Sequence, residues 1–309
     1  MTPVEGVDAA RVRELAQLVA PYIRHTPLIP SPAGGFLKLE SIQPTGSFKV
    51  RGFFAAALAI EPDRLARGIL TVSAGNAALA CAYVARELGV PCRVVMYETA
   101  PRLKIEGVRA LGAVPVLLTR DDVVAWITRR GWEDDPECFI HPFADLAVIS
   151  GHTSIVPEIL EDCPDVERVI VPVGGGGLIS GVAMGFAALK PEVRVVGVQS
   201  DGYPLWKEAL AAGGPVSLTP NTIADGTTAP FNAAMFDRMR LLVHEWVTVN
   251  ERDLRTAVAR LVTDVKVVGE GAGALAYAAT LDARPTPNTV AILSGGNLDG
   301  SRLAELLTG

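Results

Sequence analysis

From end to end the chain alternates short runs of β-branched residues with longer Ala-rich or amphipathic runs, the pattern of a parallel sheet wrapped by helices. Strands are expected at 36–39, 69–72, 92–96, 114–118, 169–173, 193–198 and 290–293. Helices are expected at 48–60, 77–88, 101–111, 178–189, 254–265 and 272–281. The punctuation agrees: Pro101 suits a first helical turn, where its missing N–H has no partner anyway. Gly89 and Gly112 suit C-terminal caps, because Gly takes positive φ without strain. The chain therefore reads as α/β. Residues 63–141 form a compact βαβαβ set, read as a smaller domain (61–146) inserted into a larger one (1–60 and 147–309). A cleft between the two would be the natural ligand site. The Gly-, Pro- and Thr-rich stretch 213–228 reads as a long surface loop.

Composition removes several classes of function. The 309 residues are 49% hydrophobic, enough to bury a sizeable core, and the net charge of −6 is spread without a long single-sign block. Neither nucleic acid nor a membrane surface is an expected partner. Cys81, Cys92, Cys138 and Cys163 are widely spaced, with no CxxC pair and no metal-ligand spacing to a His. The N-terminal stretch MTPVEGVDAARVRELAQLVAPY has acidic residues and no continuous apolar run, and no later stretch is long and apolar enough to span a bilayer. A cytoplasmic, unprocessed protein with reduced cysteines and no bound metal is expected.

Four glycines, Gly174, Gly175, Gly176 and Gly177, stand between the strand-like VIVPV and the helical LISGVAMGFAAL. In that position glycine lets backbone wrap an anion while the first free N–H groups of the helix point at it. The run is either a phosphate cradle or a flexible turn. A dinucleotide fingerprint would need a third Gly where Ile179 or Ser180 stands, and a P-loop would need an absent GK[ST] ending. No Lys or Arg lies nearby, so backbone dipoles would have to hold the anion.

QPTGSFKVRG, residues 43–52, places Lys49 at the start of a largely apolar helix. Burial there would disfavour its charge and expose a nucleophilic amine; the alternative is a solvated first-turn lysine. The runs Ser73-Ala74-Gly75-Asn76 and Ser294-Gly295-Gly296-Asn297 each follow a strand and read as capped turns or ligand contacts. In parallel sheets ligands gather at the carboxyl ends of strands, and all four segments lie at or just past such ends.

Taken in order, LKLESIQPTGSFKVRG, TVSAGN, HPFADLAVISG, VPVGGGGLISG, TIADG, EGAGA and SGGNLDGSR resemble the serine/threonine dehydratase and serine racemase family of fold-type II pyridoxal-phosphate enzymes. The resemblance implies a two-domain, tryptophan synthase β-like fold, with pyridoxal 5'-phosphate in the interdomain cleft and a homodimer in solution. It implies Lys49 as the Schiff-base lysine, Phe48 packed on the cofactor ring and Asn76 on the ring hydroxyl. Gly174 to Leu178 would hold the phosphate, and Ser294 would meet the pyridine nitrogen. A neutral hydroxyl there cannot keep that nitrogen protonated, which suits loss of a β-leaving group. The implied reaction is dehydration and deamination of a small hydroxy-amino acid such as L-threonine or L-serine, to a 2-oxo acid and ammonia. A β-replacement synthase or a racemase on the same fold, and a non-catalytic phosphate-ligand binder, are the competing readings.

The chain departs from that family's pattern at several points. Ala74 stands where racemases have serine as the second acid or base, which favours elimination. Ala77 replaces the usual His, and GHTS at 151–154 stands where GQGT is usual. Both changes are expected near a substrate held by Ser73, Ala74, Gly75, Asn76, Ala77 and His152. Gln199 and Leu205 stand where some members place carboxylates for a divalent cation, so no metal is expected. The chain ends soon after SGGN, so a regulatory C-terminal domain is not expected either.

Overall fold

The computed structural model describes residues 7–283 and 286–308; residues 1–6, part of the stretch read for a leader, lie outside the described residues. In chain order the strands are β1 (Leu28–Pro30), β2 (Phe36–Lys38), β3 (Ile69–Val72), β4 (Cys92–Tyr97) and β5 (Val114–Leu118). There follow β6 (Cys138–Phe139), β7 (Arg168–Pro172), β8 (Arg194–Ser200), β9 (Glu245–Val249) and β10 (Thr289–Ile292). They form a six-stranded sheet in the order β1-β2-β10-β7-β8-β9 and a four-stranded sheet in the order β5-β4-β3-β6. Every pairing is parallel except β1 with β2. All seven expected strands are present within a residue or two of their bounds. The sequence pattern does not announce β1, β6 and β9: all three are edge strands, and β1 and β6 are too short to show a period of two.

The helices begin with α1 (Ala9–Val19), α2 (Lys49–Leu58), α3 (Pro62–Leu65), α4 (Asn76–Leu88), α5 (Arg102–Ala110), α6 (Arg120–Thr128) and α7 (Leu146–His152). They continue with α8 (Ile155–Asp162), α9 (Gly177–Leu189), α10 (Leu205–Ala212), α11 (Ala233–Leu242), α12 (Glu251–Arg260), α13 (Gly271–Ala283) and α14 (Gly300–Thr308). Gly89 is the left-handed C-cap of α4, at φ 68°, as its position suggested. The expected helix 254–265 instead passes into a widened π turn over its last five residues and stops at Lys266, which takes φ 65°. Beyond 213 the chain is irregular, as expected, but it is not simply surface: Ala224 and Thr227 are buried.

Two large apolar clusters flank the six-stranded sheet. One is built around α9, which is buried along its first ten residues, and the other around α13. A third joins the four-stranded sheet and α4 to Phe53 and Phe54 of α2, with Leu15 and Val19 of α1. The start of α2 is fixed by a buried ion network. The fully buried Arg51 donates from Nε and Nη2 to both oxygens of Glu40, each at 2.7 Å. From Nη1 and Nη2 it donates to Glu158, at 2.7 and 2.8 Å. Lys38 completes the network with a 2.7 Å bridge to Glu158 and a 2.6 Å bond to the Thr26 carbonyl. Burial alone would push the Glu40 carboxyl up, but the guanidinium beside it holds it below its ordinary value.

Candidate active site

A cleft of about 390 Å³ opens at the carboxyl ends of β3, β4, β7 and β10, where both sheets contribute. It brings together Phe48, Lys49, the Ser73–Ala77 turn, Gly174 to Leu178 and Ser294. Tyr97, Lys104, Phe143, the Asp225–Thr228 segment and Glu270 line it as well. Of the residues expected at the site, only His152 is missing. It ends α7, is fully buried, and packs edge-on to the Phe48 ring at 4.9 Å. Close packing against Gly52 and Gly181 holds it behind Phe48, so the expected substrate contact is corrected to a core position.

Lys49 is the first residue of α2, and its position is set from outside the helix. The Phe48 N–H donates to the Ser294 carbonyl at 3.0 Å, and Ser47 bridges to Gly295. The Lys49 amine donates to the Pro142 carbonyl at 2.8 Å and lies 5.1 Å from the Phe48 ring centre. Desolvation pushes its pKa down to about 8. His141 braces the turn that presents Pro142, its Nδ1 accepting from the N–H groups of Phe143 and Ala144 at 3.3 and 3.0 Å. Burial, then the Lys49 charge, pushes the His141 pKa down to about 4, so this imidazole is a neutral acceptor.

The glycine run makes a cradle that no other residue would leave open. A Cβ on Gly174 would come within 2.8 Å of Thr227 Cα, one on Gly175 would enter the Phe143 ring, and one on Gly177 would meet the Phe143 carbonyl at 2.9 Å. Gly176 sits at φ +90°, where a side chain is strained regardless of space. Among the described residues the N–H groups of Gly174, Gly175 and Gly176 make no hydrogen bond within the chain, and α9 begins one residue later. Free donors at a helix N-terminus suit an anion.

Across the cleft Asn76 is held at both ends. Its Nδ2 donates to Glu270 at 2.5 Å, and its Oδ1 accepts from Asn297 Nδ2 at 2.8 Å, which also donates to the Thr45 carbonyl. Nδ2 retains one further N–H. Glu270, unassigned from sequence although it heads EGAGA, is almost wholly buried. Burial pushes its pKa up to about 7, against the opposing bond from Asn76. An acidic residue directly before a small-residue helix was the available signal. Trp206, equally unassigned from sequence, donates from its indole N–H to the Gly174 carbonyl at 2.5 Å.

The two positions read for lost cation ligands have other employment. Gln199 Oε1 accepts from the N–H groups of Trp206 and Lys207 at 3.0 and 3.2 Å, capping α10, and Leu205 is buried in the core.

Comparison with known proteins shows the family and the overall fold. The family described as pyridoxal-phosphate dependent enzyme matches residues 19–295. An L-threonine ammonia-lyase of Thermotoga maritima is 38% identical over 277 residues, 88% of this chain and 69% of that protein. The structure of maize serine racemase superposes with a TM-score of 0.90 at 31% identity, covering 97% of this chain and 96% of the other. The processed form of threonine deaminase isoform 2 from Solanum lycopersicum superposes with a TM-score of 0.87 at 30% identity, covering 97% and 88%.

Proposed function

Since the chain belongs to the pyridoxal-phosphate dependent enzyme family, we propose that it is a β-eliminating ammonia-lyase. It removes the hydroxyl and the amine of a small hydroxy-amino acid such as L-threonine or L-serine. The observation that carries this reading is Lys49, a partly neutralised amine facing a cradle of free backbone donors across one cleft. The residues present fit pyridoxal 5'-phosphate: the cradle offers room and N–H groups to a phosphate ester, and Lys49 offers an amine to an aldehyde. Gly174 to Leu178 would hold the phosphate, Phe48 would pack beside the ring, Asn76 would offer its remaining N–H to the ring hydroxyl, and Ser294 would serve the ring nitrogen. When bound, the cofactor supplies a sink for the electron pair left at the substrate Cα.

The chain's own groups do the rest. The Lys49 amine takes the Cα proton; a pKa near 8 leaves a useful neutral fraction at neutral pH, which a solvated lysine lacks. The Ser73–Ala77 turn, at the N-terminus of α4, holds the substrate carboxylate on the N–H groups of Ala74, Asn76 and Ala77, which make no hydrogen bond among the described residues, whereas those of Ser73 and Gly75 are already used. The Ala74 methyl can neither donate nor accept a proton, which favours elimination over inversion. The β-hydroxyl and the Cα proton are lost together as one water, and a second water hydrolyses the released enamine, through its imine, to a 2-oxo acid and ammonia.

The smaller domain comprises 61–146, and the protein is a cytoplasmic homodimer acting on a free amino acid, with no nucleic acid or membrane partner. Four unpaired cysteines support a reducing compartment. Among the described residues no helix is long and apolar enough to cross a membrane.

The test is a panel of hydroxy-amino acids scored by 2-oxo acid release, with added thiol and with chiral separation of the remaining substrate. Wild type should release 2-oxo acid from L-threonine or L-serine, and Lys49→Ala should lose roughly a thousandfold or more. A thioether product in place of the oxo acid, or the opposite enantiomer accumulating, would turn the assignment to a synthase or a racemase.

A further inference from the structure

We propose that Trp206 is a positioning residue for the phosphate cradle, aiming the Gly175 N–H into the cleft by holding the other side of the same peptide. This rests on the reading that Gly174 to Leu178 receive the cofactor phosphate. Gly174 and Gly175 line the cleft, whereas Trp206 does not: its side chain is fully buried in the core, against Phe231. The indole N–H donates to the Gly174 carbonyl at 2.5 Å, from the core side of the loop. In a trans peptide the C=O and the next N–H point in opposite directions, and no cis peptide occurs among the described residues. A carbonyl pinned toward the core therefore leaves the Gly175 N–H facing the cleft, where it has no partner within the chain.

The pin is itself anchored. Trp206 is the second residue of α10, whose start has no side-chain cap of its own and is held instead by Gln199 from β8. The line from β8 through the start of α10 to the indole thus ends on the cradle. Four consecutive glycines make such a brace necessary. Their backbone has the widest conformational range, and an unbraced peptide would spend part of its time with the donor turned away. Holding the carbonyl in place before any anion arrives lowers the ordering cost of binding.

The experiment compares cofactor forms with and without the phosphate on the full chain. After cofactor is resolved from the holoenzyme, wild type and Trp206→Phe are titrated with pyridoxal 5'-phosphate and with pyridoxal, following the absorbance of the bound form. Losing one such hydrogen bond should weaken the phosphorylated form roughly five- to tenfold and leave pyridoxal within about twofold. The ratio of the two affinities is an internal control for any general loss of fold. The 31P resonance of the reloaded holoenzyme should also shift in Trp206→Phe. Equal weakening of both forms, or of neither, overturns the proposal. Gly176→Ala, which strains the loop itself, separates the two layers. If it shows a phosphate-specific loss while Trp206→Phe does not, the brace is wrong and the cradle stands. If neither shows one, the cradle reading has failed and the brace with it.

Discussion

Lys49 and Glu270 share one cleft, and burial moves them in opposite directions, the amine down to about 8 and the carboxyl up to about 7. The consequence is a site whose acid and base both change state near neutrality. For Glu270 the effect on stability has a definite sign. Its pKa in the folded chain lies above the ordinary 4.5, so between 4.5 and about 7 the folded state keeps a proton the unfolded chain has lost. Stability therefore falls as pH rises through that window, and above it the full penalty of a buried charge is present. Glu270→Gln keeps the amide-to-oxygen contact with Asn76 and removes the charge. In the cofactor-free chain, its stability relative to wild type should rise by on the order of 3 kcal/mol between pH 4.5 and about 7, then level off. Urea unfolding at a series of pH values measures this, and a difference independent of pH would mean that the carboxyl is solvated.

At the scale of elements, the base is held in place by α2, and α2 is held by Arg51. Its fully buried guanidinium is gripped on one edge by the buried Glu40 and on the other by the partly exposed Glu158. Removing Arg51 strands the buried Glu40 carboxylate, so Arg51→Met should cost about 3 to 5 kcal/mol by denaturant unfolding. Adding Glu40→Gln should recover part of the loss, because it removes the stranded charge, Glu158 keeping its bridge to Lys38. A cost below about 1 kcal/mol would show that water reaches the network. The partners lie 11 and 107 residues away along the chain, which is why SFKVRG announces the lysine and the start of the helix but not what holds them. The same divide runs through the rest of the fold. The buried parallel strands and α4, α9 and α13 stand out because apolar runs and glycine breaks are local signals. Helix α1 lies in the stretch read only for a leader, although Val12, Leu15 and Val19 mark a buried stripe behind an Asp8 cap. At the site, the glycine run, Lys49, Asn76 and Ser294 do fall in one cleft, and their strand-end positions are local signals; local turn chemistry left their roles open, and the family resemblance supplied them. Glu270, Trp206 and His141 act through partners brought in by the fold, and His152 is hidden from the cleft by Phe48, a covering that no local pattern reveals.

In the molecule as a whole, α1 and α2 join the two sheets through an apolar cluster, and across the cleft itself the two sides touch through a small number of polar contacts. Asn76 reaches Glu270 across 194 residues of sequence, Lys49 reaches Pro142, and Lys104 comes within 3.8 Å of Asp225. A cofactor touching the Ser73–Ala77 turn on one side and the glycine cradle on the other adds to these few links, and its binding free energy becomes folding free energy. At roughly a hundredfold excess over its dissociation constant that contribution is about 2.7 kcal/mol, read as a rise in melting temperature. The added protection should not be uniform. Hydrogen exchange should slow at 73–77, on the four-stranded side, and at 174–178 and 225–228, on the six-stranded side. With pyridoxal in place of the phosphorylated form, protection should persist at 73–77 and be lost at 174–178, since only the phosphate reaches the cradle. Protection at 174–178 that is equal for the two forms would place the ring, rather than the phosphate, against the glycines. The roles of Asn76, Ser294 and the Ser73–Ala77 turn would then have to be reassigned, because each depends on which end of the cofactor faces α9.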